Sequence, residues 1–138
     1  MEEILKIDNL HVSFDTYAGE VHAVRGVSLE VNKGEVLAIV GESGCGKSVT
    51  AQTIMKLNPP ARIKEGSIKL CGKDIVAASE KEMQDIRGQM VSMIFQDPMT
   101  CMNPTMRVGK QLTETLVNKK KISKADAEKE AVRLLQMV

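Results

Sequence analysis

Eight consecutive residues, Gly41-Glu42-Ser43-Gly44-Cys45-Gly46-Lys47-Ser48, constrain this chain more than anything else in it. They match the pattern G-x-x-x-x-G-K-[ST] of a phosphate-cradling P-loop. Val36-Leu37-Ala38-Ile39-Val40 precedes them, an unbroken apolar run of strand length. Residues 49–57 follow with helix-compatible side chains, up to the stop at Asn58-Pro59-Pro60. Strand, glycine loop and helix in that order is the context the pattern needs.

The spacing has a chemical reason. Glycines at 41, 44 and 46 let the backbone adopt conformations closed to other residues and bring its N–H groups close to an anion. A helix opening near Lys47 adds the positive end of its dipole and its unpaired N–H groups. Lys47 is then placed to reach the outer phosphates of a nucleoside triphosphate, and the Ser48 hydroxyl to ligate the Mg²⁺ they carry. The competing reading is a glycine-rich turn that merely joins a buried strand to a helix.

A chain of 138 residues has room for one core, not two. With 19 basic and 18 acidic residues the net charge is +1, so no strong field favours nucleic acid or an anionic membrane. The aromatic residues are Phe14, Tyr17 and Phe95, too few for a base-stacking platform, and no nucleic-acid partner is expected. Cys45, Cys71 and Cys101 have neither disulfide-framework nor zinc spacing. His11 and His22 stand alone and read as strand residues rather than ligands. The opening Met1-Glu2-Glu3 is acidic where a signal peptide would be basic, and no apolar run approaches the roughly 20 residues that span a bilayer. The expectation is a soluble, cytosolic protein.

Alternation over residues 4–14 predicts a half-buried strand, 15–20 a turn, and 21–31 a second strand, so the first third is an antiparallel ribbon. Residues 66–70 and 75–76 flank a glycine turn and read as a hairpin. Ser79-Glu80-Lys81-Glu82 is a capping box opening a short helix that Gly88 stops. Residues 90–95 form a second apolar strand, broken at Gln96-Asp97-Pro98. A helix is expected from Val108 to about Asn118, with Val108, Leu112, Thr115 and Leu116 on one face. After the lysine linker 119–121, Ser123 caps a last helix over 124–137, striped by Ala127, Ala131, Leu134, Leu135 and Val138.

Phe14, Gly34-Glu35, the loop 41–48 and Ile94-Phe95-Gln96-Asp97-Pro98 follow one another as in an ABC transporter ATPase subunit. The chain most resembles the oligopeptide/dipeptide importer type, through Phe95-Gln96-Asp97-Pro98-Met99-Thr100 and Asn103-Pro104. The implied fold class is α/β, a P-loop NTPase-like core with an N-terminal antiparallel β ribbon. The resemblance implies ATP and Mg²⁺ as cofactors. It makes Gln96 the Q-loop glutamine that contacts Mg²⁺ and the attacking water and lies beside the transmembrane permease. It assigns an adenine-stacking ring, with Phe14 fitting best by spacing and Tyr17 as substitute. The departure at Cys101-Met102, where a Ser-Leu pair is usual, falls where the permease would be met, and the methionines between 90 and 106 read either as a pliable interface for a partner helix or as core filling beside a strand. Cys45 opens a helix, where thiols are reactive, so alkylation there is expected to block nucleotide binding.

Such a subunit also carries a Ser-Gly-Gly signature, a strand ending in Asp-Glu and a switch histidine, none of which occurs here. Asp97, Glu114, Asp126, Glu128 and Glu130 are not placed like that Asp-Glu pair. The chain therefore reads as the N-terminal part (1–138) of a nucleotide-binding domain, truncated before the signature and Walker B segments, and is expected to bind ATP without hydrolysing it alone. The implied partners are permease subunits at the inner face of the cell membrane and a second ATPase subunit forming a dimer; an unpaired sheet edge would favour self-association. The implied task is to power import of peptides or related solutes. The alternatives are a small P-loop kinase, a DNA-repair ATPase or a non-catalytic nucleotide-binding module. Arg25, Arg62, Arg87, Arg107 and Arg133 are scattered, unlike the arginines of a kinase lid.

Overall fold

The computed structural model describes residues 2–97 and 101–138; the Pro98-Met99-Thr100 portion of the motif quoted above lies outside the described residues. The chain forms two compact units, Met1–Arg87 and Gly88–Val138.

The first unit is built on the expected ribbon, which is longer and tighter than alternation predicts. β1 (Glu3–Thr16) pairs antiparallel with β2 (Gly19–Asn32), and the ladder continues to the Thr16–Gly19 pair, leaving Tyr17 and Ala18 alone as the turn. The Thr16 hydroxyl donates to the Gly19 carbonyl at 2.7 Å, so four residues expected in the turn belong to the strands. β3 (Arg62–Leu70) adds to the other edge of β1, and β4 (Lys73–Asp74) completes a sheet in the order β2-β1-β3-β4. As an inner strand, β1 contributes Ile7, Leu10 and Val12, all buried, against Val24 of β2 and Ile68 and Leu70 of β3.

The β3–β4 connection is Cys71-Gly72, both at positive φ (46° and 77°), as a two-residue turn with the twist of its flanking strands requires. The second hairpin arm is Lys73–Asp74 rather than 75–76. The Asp74 carboxylate accepts the Val76 and Ala77 N–H groups at 2.9 and 3.2 Å and turns the chain out of the ladder. α1 (Lys47–Ile54) follows the glycine loop, and α2 (Glu80–Ile86) opens on the predicted capping box: the Ser79 hydroxyl accepts from Glu82 N–H while the Glu82 carboxylate accepts from Ser79 N–H. Met55, Ile75, Met83 and Ile86 complete the buried core of this unit.

In the second unit, α3 (Val108–Asn118) spans its predicted range and α4 (Lys124–Gln136) starts where predicted. The Ser123 hydroxyl accepts from Asp126 N–H at 3.2 Å. Leu116, Ala127 and Ala131 are buried, whereas Val108, Leu134, Leu135 and Val138 of the expected stripes face solvent.

Two apolar strands predicted from composition do not form. Residues 36–40 and 92–95 carry no strand, and Val36, Val40 and Ile94 are more than nine-tenths exposed. Residues 88–90 are instead a turn, closed by a 2.8 Å bond from Gly88 N–H to the Val91 carbonyl. A continuous apolar run becomes a strand only when hydrogen-bonding neighbours flank it and other layers cover its faces. Among the described residues neither run enters a ladder, Val91 making only an isolated bridge, so the only sheet is the antiparallel one.

Candidate functional site: the phosphate loop

The loop at 41–48 is shaped by sterics. Gly44 and Gly46 take φ values of 80° and 95°, the left-handed region that side chains resist. A Cβ at Gly46 would also fall 2.6 Å from the Ala23 carbonyl oxygen of β2, and one at Gly41 only 2.7 Å from the Cys45 sulfur. The loop backbone therefore lies against β2 at a distance only glycine allows.

Gly46 is the N-cap of α1, and no side chain caps it. Its carbonyl accepts both the Thr50 N–H at 2.8 Å and the Thr50 hydroxyl at 3.0 Å, which anchors the first turn from below. The first-turn N–H groups at 47–49 have no partner within the helix, as at any helix start, and are available to an anion. Lys47 folds back over the loop. Its ammonium donates to the Gly41 carbonyl at 2.8 Å and the Glu42 carbonyl at 2.6 Å, with the Cys45 sulfur 3.5 Å away. Glu42, Ser43 and Ser48 are exposed, the last offering its hydroxyl in the first turn of α1.

Beside the loop is a recess of about 470 Å³, lined by Val24, Val27 and Leu29 of β2 and by Ile39, Val40 and Lys47 among others. A glycine cradle that side chains would fill, an uncapped helix start, one ammonium and one exposed hydroxyl form a donor set that suits a polyphosphate carrying Mg²⁺.

The remaining predicted residues are placed as follows. Phe14 is half-buried in β1 opposite Val21, and Tyr17 is fully exposed at the ribbon's turn. Neither ring lines the recess. Gln96 belongs to the second unit, where it and Phe95 are exposed. In that unit Gln111 pins the Asn103-Pro104 turn, accepting from Asn103 N–H and donating to the Asn103 and Met106 carbonyls, all at 2.9 Å. His22 Nδ1 lies 2.9 Å from the Ser13 hydroxyl and His11 Nε2 lies 3.2 Å from the Asn9 side-chain oxygen.

Sequence reasoning missed the far end of α1. The helix stops at Ile54, before the proline pair, because Lys56 turns left-handed at φ 49°. Lys56 N–H then bonds the Thr53 carbonyl and Leu57 N–H the Gln52 carbonyl, both at 3.0 Å, which is a Schellman end. No glycine marks it, so composition carried no signal of it.

The family described as ABC transporter matches residues 24–138 of this chain. The chain is 59% identical over 137 residues to the oligopeptide transport ATP-binding protein OppD of Bacillus subtilis (strain 168), covering 98% of this chain and 38% of that protein. It is 57% identical over 140 residues to the dipeptide transport ATP-binding protein DppD of the same organism, covering 100% of this chain and 42% of that protein. It thus spans about two-fifths of the length of these curated relatives. Its backbone matches that of the ATP-binding cassette MJ0796, solved as a post-hydrolysis dimer bound to ADP and Pi. The TM-score is 0.81 at 22% identity, covering 97% of this chain and 56% of that one, which is a likeness of fold. With the phosphate loop lying inside the matched span, the chain belongs to the ABC transporter family.

Proposed function

We propose that this chain is the ATP-binding portion of an importer ATPase subunit that powers uptake of peptides or related solutes. The single observation that carries the reading is the loop at 41–48, where Lys47 and the uncapped start of α1 converge on one glycine cradle. The names of the relatives, oligopeptide and dipeptide transport ATP-binding proteins, support the solute class.

In this reading the backbone N–H groups of Gly44, Cys45, Gly46, Lys47 and Ser48 wrap the β- and γ-phosphates of ATP. Lys47 exchanges its neutral carbonyl acceptors for anionic phosphate oxygens, so ion pairs replace ammonium–carbonyl bonds. The Ser48 hydroxyl would hold Mg²⁺, with Gln96 the further ligand that the family resemblance implies, and the bound ion would neutralise charge on the outer phosphates. Adenine stacks on Phe14, with Tyr17 the substitute. The Gln96 region and the Asn103-Pro104 turn face permease subunits at the membrane, and a second ATPase subunit completes the site. Among the described residues no helix is long and apolar enough to cross a membrane. Alone, the chain binds Mg-ATP and does not turn it over.

Calorimetric titration of Mg-ATP into the folded chain tests this. Saturable heat that Lys47→Ala weakens about 100-fold supports the reading, and indistinguishable traces for the two proteins refute it. Lys47-dependent phosphate release by the chain alone would refute the binding-only part.

A further inference from the structure

We propose that Arg87 is a positioning residue for the phosphate loop: it locks the C-terminal end of α1, and Glu80 holds Arg87 in place. The link to nucleotide rests on the function proposed above. The lock itself stands on geometry.

α1 has eight residues, fewer than the roughly 12–15 at which an isolated helix becomes even marginal. It has no side-chain cap at its start and no basic residue in its last turn, so beyond the Schellman bonds its C-terminal end finds no counter-charge within the helix. Arg87 supplies the missing cation from outside. Its Nε donates to the Met55 carbonyl at 2.8 Å and its Nη2 to the Lys56 carbonyl at 3.1 Å, the two carbonyls just past the helix end. Nη1 donates to Glu80 Oε1 at 2.6 Å. The Arg87 side chain is 21% exposed against 65% for Glu80, so the guanidinium is held inside while its counter-ion reaches in from the surface.

Lys56 works from the same place in the opposite direction. Its left-handed backbone is costly for a residue with a side chain. That conformation accompanies ammonium bonds to the Val76 and Ala78 carbonyls at 3.0 and 2.7 Å. The end of α1 is thereby tied both to the segment entering α2 and, through Arg87, to α2 itself. A two-turn helix is a short rigid rod, so fixing one end sets the direction in which the N–H groups at the other end point. The three-sided contact needs a planar fork, which a lysine's point charge does not provide.

The test compares wild type with Arg87→Ala, Arg87→Lys and Glu80→Gln in the full chain, by amide hydrogen exchange and Mg-ATP calorimetry. In Arg87→Ala, exchange in α1 should accelerate about ten-fold while β1 and β3 keep their protection, and the Mg-ATP Kd should rise about five-fold. Arg87→Lys should resemble Arg87→Ala. Guanidinium ion at sub-denaturing concentration should restore Mg-ATP binding to Arg87→Ala and not to Lys47→Ala. Unchanged α1 exchange in a folded Arg87→Ala, or protection lost evenly across the sheet, would overturn the lock. If Arg87→Ala does not fold, Glu80→Gln makes the same comparison at about two-fold amplitude, and no selective change in α1 there would overturn it. A wild type that gives no Mg-ATP heat overturns the link to nucleotide, and the exchange data keep that failure distinct from failure of the lock.

Discussion

The Lys47 ammonium donates to the Glu42 carbonyl at 2.6 Å, so the phosphate loop is closed by the same side chain that would meet the phosphates. Replacing Lys47 therefore removes a loop tie and a counter-charge together. Lys47→Ala should weaken Mg-ATP binding about 100-fold, the equivalent of about one strong charge-assisted bond, with the β1–β3 ladder intact. Calorimetry gives the affinity. Limited proteolysis should show faster cleavage confined to the loop.

Across the β1–β3 pair, Gly66 lies at φ 95° against Asn9, and a Cβ there would run into the Asn9 carbonyl group. Asn9 is itself left-handed at φ 45° where the β1–β3 register shifts, so neither backbone can yield cheaply. Gly66→Ala should cost about 3 kcal/mol of stability in denaturant unfolding. Gly72→Ala, at φ 77° but in open space, should cost only about 1 kcal/mol.

The capping box of α2 makes a pH prediction. Hydrogen bonds from the Ser79 hydroxyl and backbone N–H hold the Glu82 carboxyl below its usual range. A carboxyl depressed in the folded state contributes stability above its unfolded pKa of about 4.3 and loses it as pH falls through the folded value. Glu82→Gln should therefore flatten part of the acid limb of the stability curve below about pH 5, and leave its shape near neutrality unchanged. Ser79→Ala should lower stability at neutral pH by about 1 kcal/mol, read by thermal melting.

Cys45 is exposed, with its sulfur 3.5 Å from the Lys47 ammonium. A maleimide adduct there would occupy the cradle that the glycines keep open. In a Cys71→Ser/Cys101→Ser background, alkylation should abolish Mg-ATP binding, and saturating Mg-ATP should slow it about ten-fold. Equal labelling rates with and without nucleotide would show that the loop and the ligand do not meet.

Local signals in the chain were legible because they act over a few residues. The capping box at Ser79, the cap at Ser123 and the glycine loop each state their own geometry, and the structure follows them. The apolar runs at 36–40 and 90–95 were misread for the converse reason. An apolar run reports a wish for burial, whereas a strand also needs a neighbour, and hydrogen-bonding neighbours are not encoded within the run itself. Arg87 was invisible for a related reason. Its partners, Met55, Lys56 and Glu80, lie 32, 31 and 7 residues away, so no window of sequence puts them together.

Tyr17 sits fully exposed at the end of the ribbon, and it is the only tyrosine in a chain without tryptophan. The protein thus carries a built-in fluorophore at one known address. Quenching of its emission on addition of adenine nucleotide would be traceable to that single ring, and an unchanged signal alongside calorimetric binding would leave Phe14 as the stacking partner.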